Sequence, residues 1–387
     1  MDDAPAIRAV DDILAHGLRW KASDIHIEPT VNGVRVRYRL DGFLQEHLAV
    51  LAEYATHVVA RIKVLARLDI AEKRIPQDGK FVVATQDQGD IDLRVATFPC
   101  LHGEKVVIRL LGDLRRLHSL DAIGFDPFLR EQIDTVMQRA HGFFIVTGPT
   151  GAGKTTTLYA LLGLFGASHK NVVTLEDPVE YTIAGTTQGQ INPDIGFDFA
   201  QGIRALLRQD PDVIMVGEMR DDETAQTAVQ AALTGHFVLS TLHTNDAPGA
   251  IIRLLDMHIK AFLINATITG ILAQRLVRIL CTQCKYKTTL TAEEQEYVDL
   301  VHMRCEQAFR ADGCLACSGT GYQGRIGIFE LLLMTPQIRA VIHDTTKYDE
   351  LHAAVRAQGM RPLIVDGMQK VAAGVTSVSE LMRTIHP

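Results

Sequence analysis

The sequence lacks both a basic excess and an export signal. Its 387 residues include 39 lysines and arginines against 46 acidic residues, which gives a formal net charge of −7 at pH 7. Nucleic-acid-binding proteins usually show the opposite imbalance, so the charge disfavours that class. The segment from Met1 to Pro5 is neither basic nor apolar, so we expect no secretory signal and a cytoplasmic protein.

An uninterrupted apolar run of membrane-spanning length is also missing. The most apolar long stretch, Ala261 to Cys281, contains Asn265, Gln274, Arg275 and Arg278. Charges at this density are too costly inside a bilayer. The pattern therefore predicts an amphipathic helix over this stretch.

Cysteine is scarce, and its spacing is informative. Four of the six cysteines form the pattern C-x2-C-x29-C-x2-C, namely Cys281, Cys284, Cys314 and Cys317. In a chain without an export signal, such pairs favour a metal site over disulfides. Four thiolates can surround Zn²⁺ tetrahedrally and leave no open position for catalysis. We therefore predict a structural zinc site, with four reduced thiols as the alternative.

One segment matches the phosphate-binding loop (P-loop) pattern G-x-x-x-x-G-K-[ST] at every position. It comprises Gly148, Pro149, Thr150, Gly151, Ala152, Gly153, Lys154 and Thr155. An apolar run at 143–146 precedes it and a helix-compatible run at 155–165 follows it. This strand–turn–helix context argues against the alternative, a glycine-rich turn that binds nothing.

The residue types in this loop suit a nucleoside triphosphate such as ATP. Glycines permit the backbone turns that point several N–H groups at phosphates, and the following helix adds its positive end. Lys154 is expected to contact the β- and γ-phosphates, and the Thr155 hydroxyl is expected to ligate Mg²⁺. Thr156 is included in the predicted nucleotide site.

Acidic residues follow two predicted strands near this loop. Glu218 comes after the apolar run 213–216 and is predicted to activate water or to hold Mg²⁺ through water. A helix-capping acid is the alternative. Glu176, Asp177 and Glu180 cluster after another apolar run and are candidates for ordering water or accepting a proton, although a plain acidic loop is also possible.

Two histidines and four arginines complete the candidates. His236 and His243 lie at the two ends of one predicted strand, where a histidine can sense the nucleotide, although lone histidines are more often structural. The arginines are Arg94, Arg109, Arg204 and Arg208. Their pattern alone favours surface ion pairs.

The overall pattern predicts an α/β protein in which a smaller α+β domain precedes a RecA-like P-loop ATPase domain. Strict alternation from Val34 to Leu40 indicates an amphipathic strand in the first part. From 143 to 241, apolar strands alternate with helices, as a parallel sheet requires. The predicted divisions are 1–112 (α+β), 113–123 (linker), 124–280 (RecA-like), 281–317 (tetracysteine subdomain) and 318–387 (helical C-terminal subdomain).

With these motifs in the order observed, the chain resembles the type II secretion and type IV pilus assembly ATPases. Five segments carry the resemblance together with the P-loop: Ala22–Pro29, Arg74–Gly79, the EDPVE box from Glu176, the LRQDPD run from Leu207, and TGHFVLSTLHTND from Thr234. The resemblance extends over nearly the whole chain.

This resemblance implies a homohexameric ATPase in which a PAS-like domain packs against the RecA-like domain and ATP binds between them. It assigns all four arginines to the nucleotide and both histidines to a histidine box. ATP hydrolysis would power pseudopilus assembly in type II secretion, with type IV pilus extension as the alternative. The implied partners are platform proteins of the bacterial inner membrane, through which the ring would reach the membrane. Relatives usually carry a further N-terminal domain that docks on such a partner, and this chain is expected to begin where that domain ends.

Two functions from other classes remain open at this point. A RecA-like nucleic-acid translocase shares the P-loop, but the acidic charge opposes it. A nucleotide-gated scaffold would bind ATP without turnover, and Glu218 argues against that.

Overall fold

The computed structural model describes residues 4–85, 89–110, 120–165 and 169–385, without the side chains of residues 4 and 47–53. The chain divides into two compact units, Met1–Leu114 and Arg115–Pro387. Most of the predicted linker, 113–123, lies outside the described residues.

The first unit contains a six-stranded antiparallel sheet in the order β3-β2-β1-β6-β5-β4. Its elements are α1 (Ala4–Arg19), β1 (Asp24–Thr30), β2 (Gly33–Leu40), β3 (Phe43–Leu51), α2 (Ala52–Leu65), β4 (Gln77–Thr85), β5 (Gly89–Cys100) and β6 (Gly103–Leu110). The alternation predicted for β2 is confirmed, since Val34, Val36 and Tyr38 are buried. β4 was not predicted, because this edge strand has no fully buried residue.

The second unit is built on a seven-stranded mixed sheet in the order β15-β12-β7-β11-β10-β8-β9. Neighbouring strands are parallel throughout except β15, which is antiparallel to β12. The strands are β7 (Gly142–Thr147), β8 (Val172–Glu176), β9 (Thr186–Gln190), β10 (Val213–Val216), β11 (Phe237–Leu242), β12 (Ile268–Leu280) and β15 (Tyr322–Leu333).

Helices pack on this sheet, and four of the described helices follow its last strand. They are α3 (Pro127–Met137), α4 (Lys154–Leu162), α5 (Phe199–Leu206), α6 (Asp222–Leu233), α7 (Ala247–Asp256), α8 (Ala261–Thr267), α10 (Pro336–Val341), α11 (Tyr348–Ala357), α12 (Leu363–Ala372) and α13 (Val378–Thr384). The segment between the two cysteine pairs contains β13 (Lys285–Thr288), α9 (Ala292–Leu300) and β14 (Ala308–Ala311). β13 and β14 form a small antiparallel sheet of two strands. Among the described helices, none combines the length and apolar character that a membrane crossing requires.

The amphipathic helix predicted for Ala261 to Cys281 is wrong beyond Thr267. The chain is helical only in α8 and then becomes β12, whose first seven residues are all buried. A strand buried on both faces shows a continuous apolar run, so the period-two alternation that marks an ordinary strand is absent. The C-terminal part predicted as helical, 318–387, also contains a strand, because residues 322–333 form the edge strand β15.

A buried carboxylate joins β15 to two helices of the second unit. Glu330 is 5% exposed, and its two oxygens accept the N–H groups of Ala247 at 2.9 Å and Leu363 at 3.3 Å. These residues begin α7 and α12, where backbone N–H groups have no helical partner. Burial raises the pKa of Glu330 to about 6, although both N–H groups act in the opposite direction.

This raised pKa predicts a pH-dependent contribution to stability. Glu330 has a folded-state pKa of about 6 against an ordinary glutamate value of 4.5, so the folded state keeps its proton over this interval while the unfolded state loses it. Stability therefore falls as pH rises through this window, by about 2 kcal/mol in total. We expect the unfolding free energy of the wild type, minus that of Glu330→Gln, to fall by this amount between about pH 3.5 and pH 7 in urea titrations. If this difference in unfolding free energy does not change with pH, the raised pKa of Glu330 is contradicted.

Candidate nucleotide site and metal centre

The P-loop follows the fully buried strand β7 and ends at the start of α4. Its three glycines have positive φ angles of 151° at Gly148, 79° at Gly151 and 84° at Gly153, which favour glycine. A Cβ atom on Gly148 would lie 2.4 Å from the carbonyl oxygen of Gln274, so no side chain fits there. Strand, turn and helix thus occur where the motif predicts them.

Lys154 is held inside this loop. Its Nζ donates to the carbonyl oxygens of Gly148 at 2.8 Å and Pro149 at 3.1 Å, and lies 3.4 Å from Nδ1 of His243. Burial lowers the pKa of Lys154, while the nearby charge of Glu218 raises it. The ammonium group is thus bound by carbonyl oxygens that phosphate oxygens can replace.

Three of the predicted residues converge at one edge of the sheet. Glu218 follows β10, and its Oε2 lies 3.7 Å from Nε2 of His243, which follows β11. The same imidazole approaches Lys154, so His243 lies between the cation and the carboxylate. Burial and the charge of Lys154 lower the pKa of His243, which keeps its ring neutral at pH 7. Carboxyl ends of parallel strands meet at one edge, as the prediction assumed.

The segment that carries His243 is tied to the strand that carries the P-loop. The Thr147 hydroxyl lies 2.7 Å from that of Thr244 and accepts the Thr244 N–H at 3.0 Å. Thr147 directly precedes the P-loop, and Thr244 directly follows His243. The link between the two threonines therefore fixes the position of the histidine relative to the loop.

Arg220 is a site residue that sequence reasoning missed. Its Nη2 lies 2.5 Å from Oε1 of Glu218, and its Nη1 lies 4.0 Å from Asp177. The hydrogen bond to Glu218 raises the pKa of Arg220. Its position two residues after the predicted acid was the only available indication. The arginine brings Asp177 and Glu218 together.

The acidic box from Glu176 does not act as one group. Glu176 is 3% exposed and accepts hydrogen bonds from Thr174 at 2.6 Å, Gln188 at 3.0 Å and the Tyr159 hydroxyl. Its oxygens are thus directed at neighbouring core groups. Asp177 is exposed near Arg220.

The third acid of the box and the threonines of the P-loop differ in their exposure. Glu180 is half-buried, and its backbone N–H donates to Tyr159 at 3.3 Å. Thr155, predicted to ligate Mg²⁺, is the second residue of α4 and is exposed, whereas Thr156 is half-buried. Pro149 and Thr150 are exposed as well.

His236 lies far from the P-loop of its own chain. It precedes β11, whose first residue, Phe237, pairs with Gly142 at the start of β7. The P-loop begins at the other end of β7. The Nδ1 atom of His236 lies 2.9 Å from the carbonyl oxygen of Ala231. The structure therefore brings His243, and not His236, to the loop.

The four predicted arginines occupy two separate places. In the second unit, Arg204 pairs with Glu223 at 3.0 Å, and Arg208 donates to the Arg204 carbonyl at 2.8 Å. In the first unit, Arg94 and Arg109 are directly opposite on β5 and β6, and Arg109 pairs with Asp24 at 3.1 Å. Their role at the nucleotide stays a prediction.

The four paired cysteines form one cluster. Their sulfur atoms all lie within 4.8 Å of one another, with distances of 3.8 Å for Cys281–Cys314, 3.9 Å for Cys284–Cys317 and 3.8 Å for Cys314–Cys317. A tetrahedron with Zn–S bonds of about 2.3 Å has edges of about 3.8 Å. Disulfide bonds need about 2.05 Å. The donor set therefore fits a tetrahedral zinc ion.

Solved structures of two other proteins share this fold. The chain aligns with the Legionella pneumophila ATPase DotB with a TM-score of 0.70 and 21% identity, over 96% of this chain and 94% of that one. The pilus retraction motor PilT aligns with a TM-score of 0.61 and 23% identity, over 96% and 95%. At these identities the likeness concerns the fold alone.

Sequence comparisons give much closer relatives. The chain is 47% identical over 384 residues to the type II secretion system protein E of Dickeya dadantii, covering 99% of this chain and 76% of that protein. It is 46% identical over 383 residues to the type II secretion system ATPase E of Vibrio cholerae, with the same coverage. A model of the type II/IV secretion system protein family matches residues 1–383. The chain therefore belongs to the type II/IV secretion system protein family.

Proposed function

We propose that the chain is the ATP-hydrolysing motor of a type II secretion system and powers pseudopilus assembly. The observation that carries this proposal is the convergence of Lys154, His243 and Glu218 beside a complete P-loop. The 46% identity to a protein named type II secretion system ATPase E supports it.

In this mechanism each residue has a distinct task. Lys154 exchanges its carbonyl partners for phosphate oxygens, and glycine N–H groups add further donors. Thr155 would ligate Mg²⁺, which when bound neutralises charge on the phosphates. Glu218 accepts a proton from the attacking water, and the neutral ring of His243 keeps that carboxylate apart from Lys154.

The assembly is a homohexamer in which the first unit is a PAS-like domain. Arg94 and Arg109 from that unit, with Arg204 and Arg208 from the second, supply cations for the developing phosphate charge. His236, which lies at the end of the sheet opposite to the P-loop, would contact a neighbouring subunit. The ring works at the cytoplasmic face of the inner membrane through platform proteins and binds no nucleic acid.

Type IV pilus extension is the second candidate. The chain is 42% identical to the type IV pilus assembly ATPase TfpB of Acinetobacter baylyi and spans 66% of that protein. Relatives named for type II secretion are 45–47% identical and are spanned over 76–78% of their length. This difference favours secretion.

The cysteine cluster is proposed to hold a structural Zn²⁺. Its sulfur separations of 3.8–3.9 Å suit one tetrahedral ion. The ion would join the segment after β12 to the segment before β15, and thus close the insert that contains α9.

Replacing the P-loop lysine is expected to reduce turnover close to the background rate. Lys154→Ala removes the cation directed at the phosphates, so phosphate release should fall by roughly 10²–10³-fold. Lys260→Ala is a matched control, since Lys260 is an exposed lysine that pairs with Asp344. Turnover that survives in Lys154→Ala would contradict the assigned site.

Replacing the proposed general base should separate binding from chemistry. Glu218→Gln keeps the size of the side chain but cannot accept the proton, so kcat should fall by roughly 10²–10⁴-fold. ATP should bind as well or better, because a negative charge beside the phosphates is removed. Single-turnover and equilibrium-binding measurements test this, with exposed Glu131→Gln as control. Retained turnover would instead favour another base.

Metal analysis tests the cysteine cluster. Protein purified without chelator should contain one zinc ion per chain, and Cys314→Ser should lose it and unfold at lower temperature. Cys100→Ser replaces an exposed cysteine outside the cluster and should keep the metal. Lys154→Ala should also keep it. A wild-type chain without zinc would exclude the proposal.

A further inference from the structure

Gln274 lies directly beside the first residue of the P-loop. It follows Ala273, which pairs with Thr147 at the last position where β12 and β7 are in register. Its carbonyl oxygen is the atom that would lie 2.4 Å from a Cβ atom on Gly148. The backbone of β12 thus supports the start of the loop.

The side chain of Gln274 reaches the other end of the same loop. It is 2% exposed, and its Nε2 donates to the Ala152 carbonyl oxygen at 2.6 Å. The same nitrogen would lie 3.3 Å from a Cβ atom on Gly153. One residue therefore contacts the loop near both its first and its last glycine.

We propose that Gln274 is a positioning residue that fixes the Ala152–Gly153 peptide for nucleotide binding. In a trans peptide the C=O and N–H groups point in opposite directions. Because Gln274 holds the Ala152 carbonyl on the side of β12, the N–H of Gly153 points to the opposite side, where it would donate to a phosphate oxygen of the nucleotide. If this peptide flipped, a carbonyl oxygen would replace that donor. This inference rests on the proposed function, since it presupposes a phosphate ligand.

The other end of the amide separates this role from simple packing. Oε1 of Gln274 is buried and accepts no hydrogen bond from the described residues. An unpaired buried acceptor destabilises the fold, whereas an apolar side chain of the same shape does not. Packing alone would therefore not require glutamine here. The hydrogen bond that Nε2 donates to the Ala152 carbonyl accounts for a glutamine at this position.

Gln274→Met tests the inference, because methionine keeps the length of the side chain and removes both donor and acceptor. We expect the Kd for Mg-ATP to rise about tenfold, as the loss of one hydrogen bond in the loop implies. The melting temperature should fall no further than in Asn265→Leu, because the change removes the unpaired Oε1 but leaves the carbonyl oxygen of Ala152 without its donor. Isothermal titration with Mg-ATP and thermal unfolding without nucleotide measure the two quantities.

Asn265→Leu is the matched control. Asn265 is a half-buried amide on α8 that donates to the carbonyl oxygens of Arg339 and Ile342, and its Oδ1 is likewise unpaired. Its replacement should lower the melting temperature without changing the Kd. Wild-type affinity in Gln274→Met, or an equal loss of affinity in Asn265→Leu, would overturn the positioning role alone. A wild-type chain that does not bind Mg-ATP would overturn the proposed function as well.

Discussion

The register of three parallel strands is the constraint on which the candidate site depends. Leu242 pairs with Thr147, and Ser240 pairs with Val216, so β7, β11 and β10 end near one level of the sheet. The segments that follow them carry the P-loop, His243 and Glu218. A register shift of one residue in any of these strands would move its functional side chain by about 3.3 Å, which is more than a hydrogen bond tolerates.

Sequence reasoning succeeded where the chemistry is local. The P-loop and the cysteine pairs are defined by residue types within a few positions, so their motifs fix both geometry and ligand class. It failed for β12, which is buried on both faces and therefore has no alternation to detect. Gln274 was missed because its partner is contributed by a segment distant in sequence. Arg220 was missed although Glu218 lies two residues before it, because its second partner, Asp177, follows a different strand.

Glu176 and Glu218 illustrate why residue type alone does not assign a catalytic role. Both were predicted from an apolar run followed by an acid. Three donors surround Glu176 in the core, whereas Glu218 lies near an ammonium, an imidazole and an exposed guanidinium. A carboxylate whose partners are fixed core groups is poorly placed to exchange them during a reaction. Only the surroundings distinguish the two acids.

β12 connects regions that the sequence presents as separate. Within five residues it carries Gln274, which contacts the P-loop, and Arg278, whose guanidinium pairs with the fully buried carboxylate of Glu380 on α13. Between them, Arg275 donates to the Thr384 carbonyl. Cys281, the first member of the cysteine cluster, follows the last residue of the strand. Because removing either partner of a buried ion pair is strongly destabilising, Arg278 and Glu380 hold α13 firmly against this strand. The helix α13 thus stabilises the strand on which the P-loop rests, and the cysteine cluster begins directly after that strand.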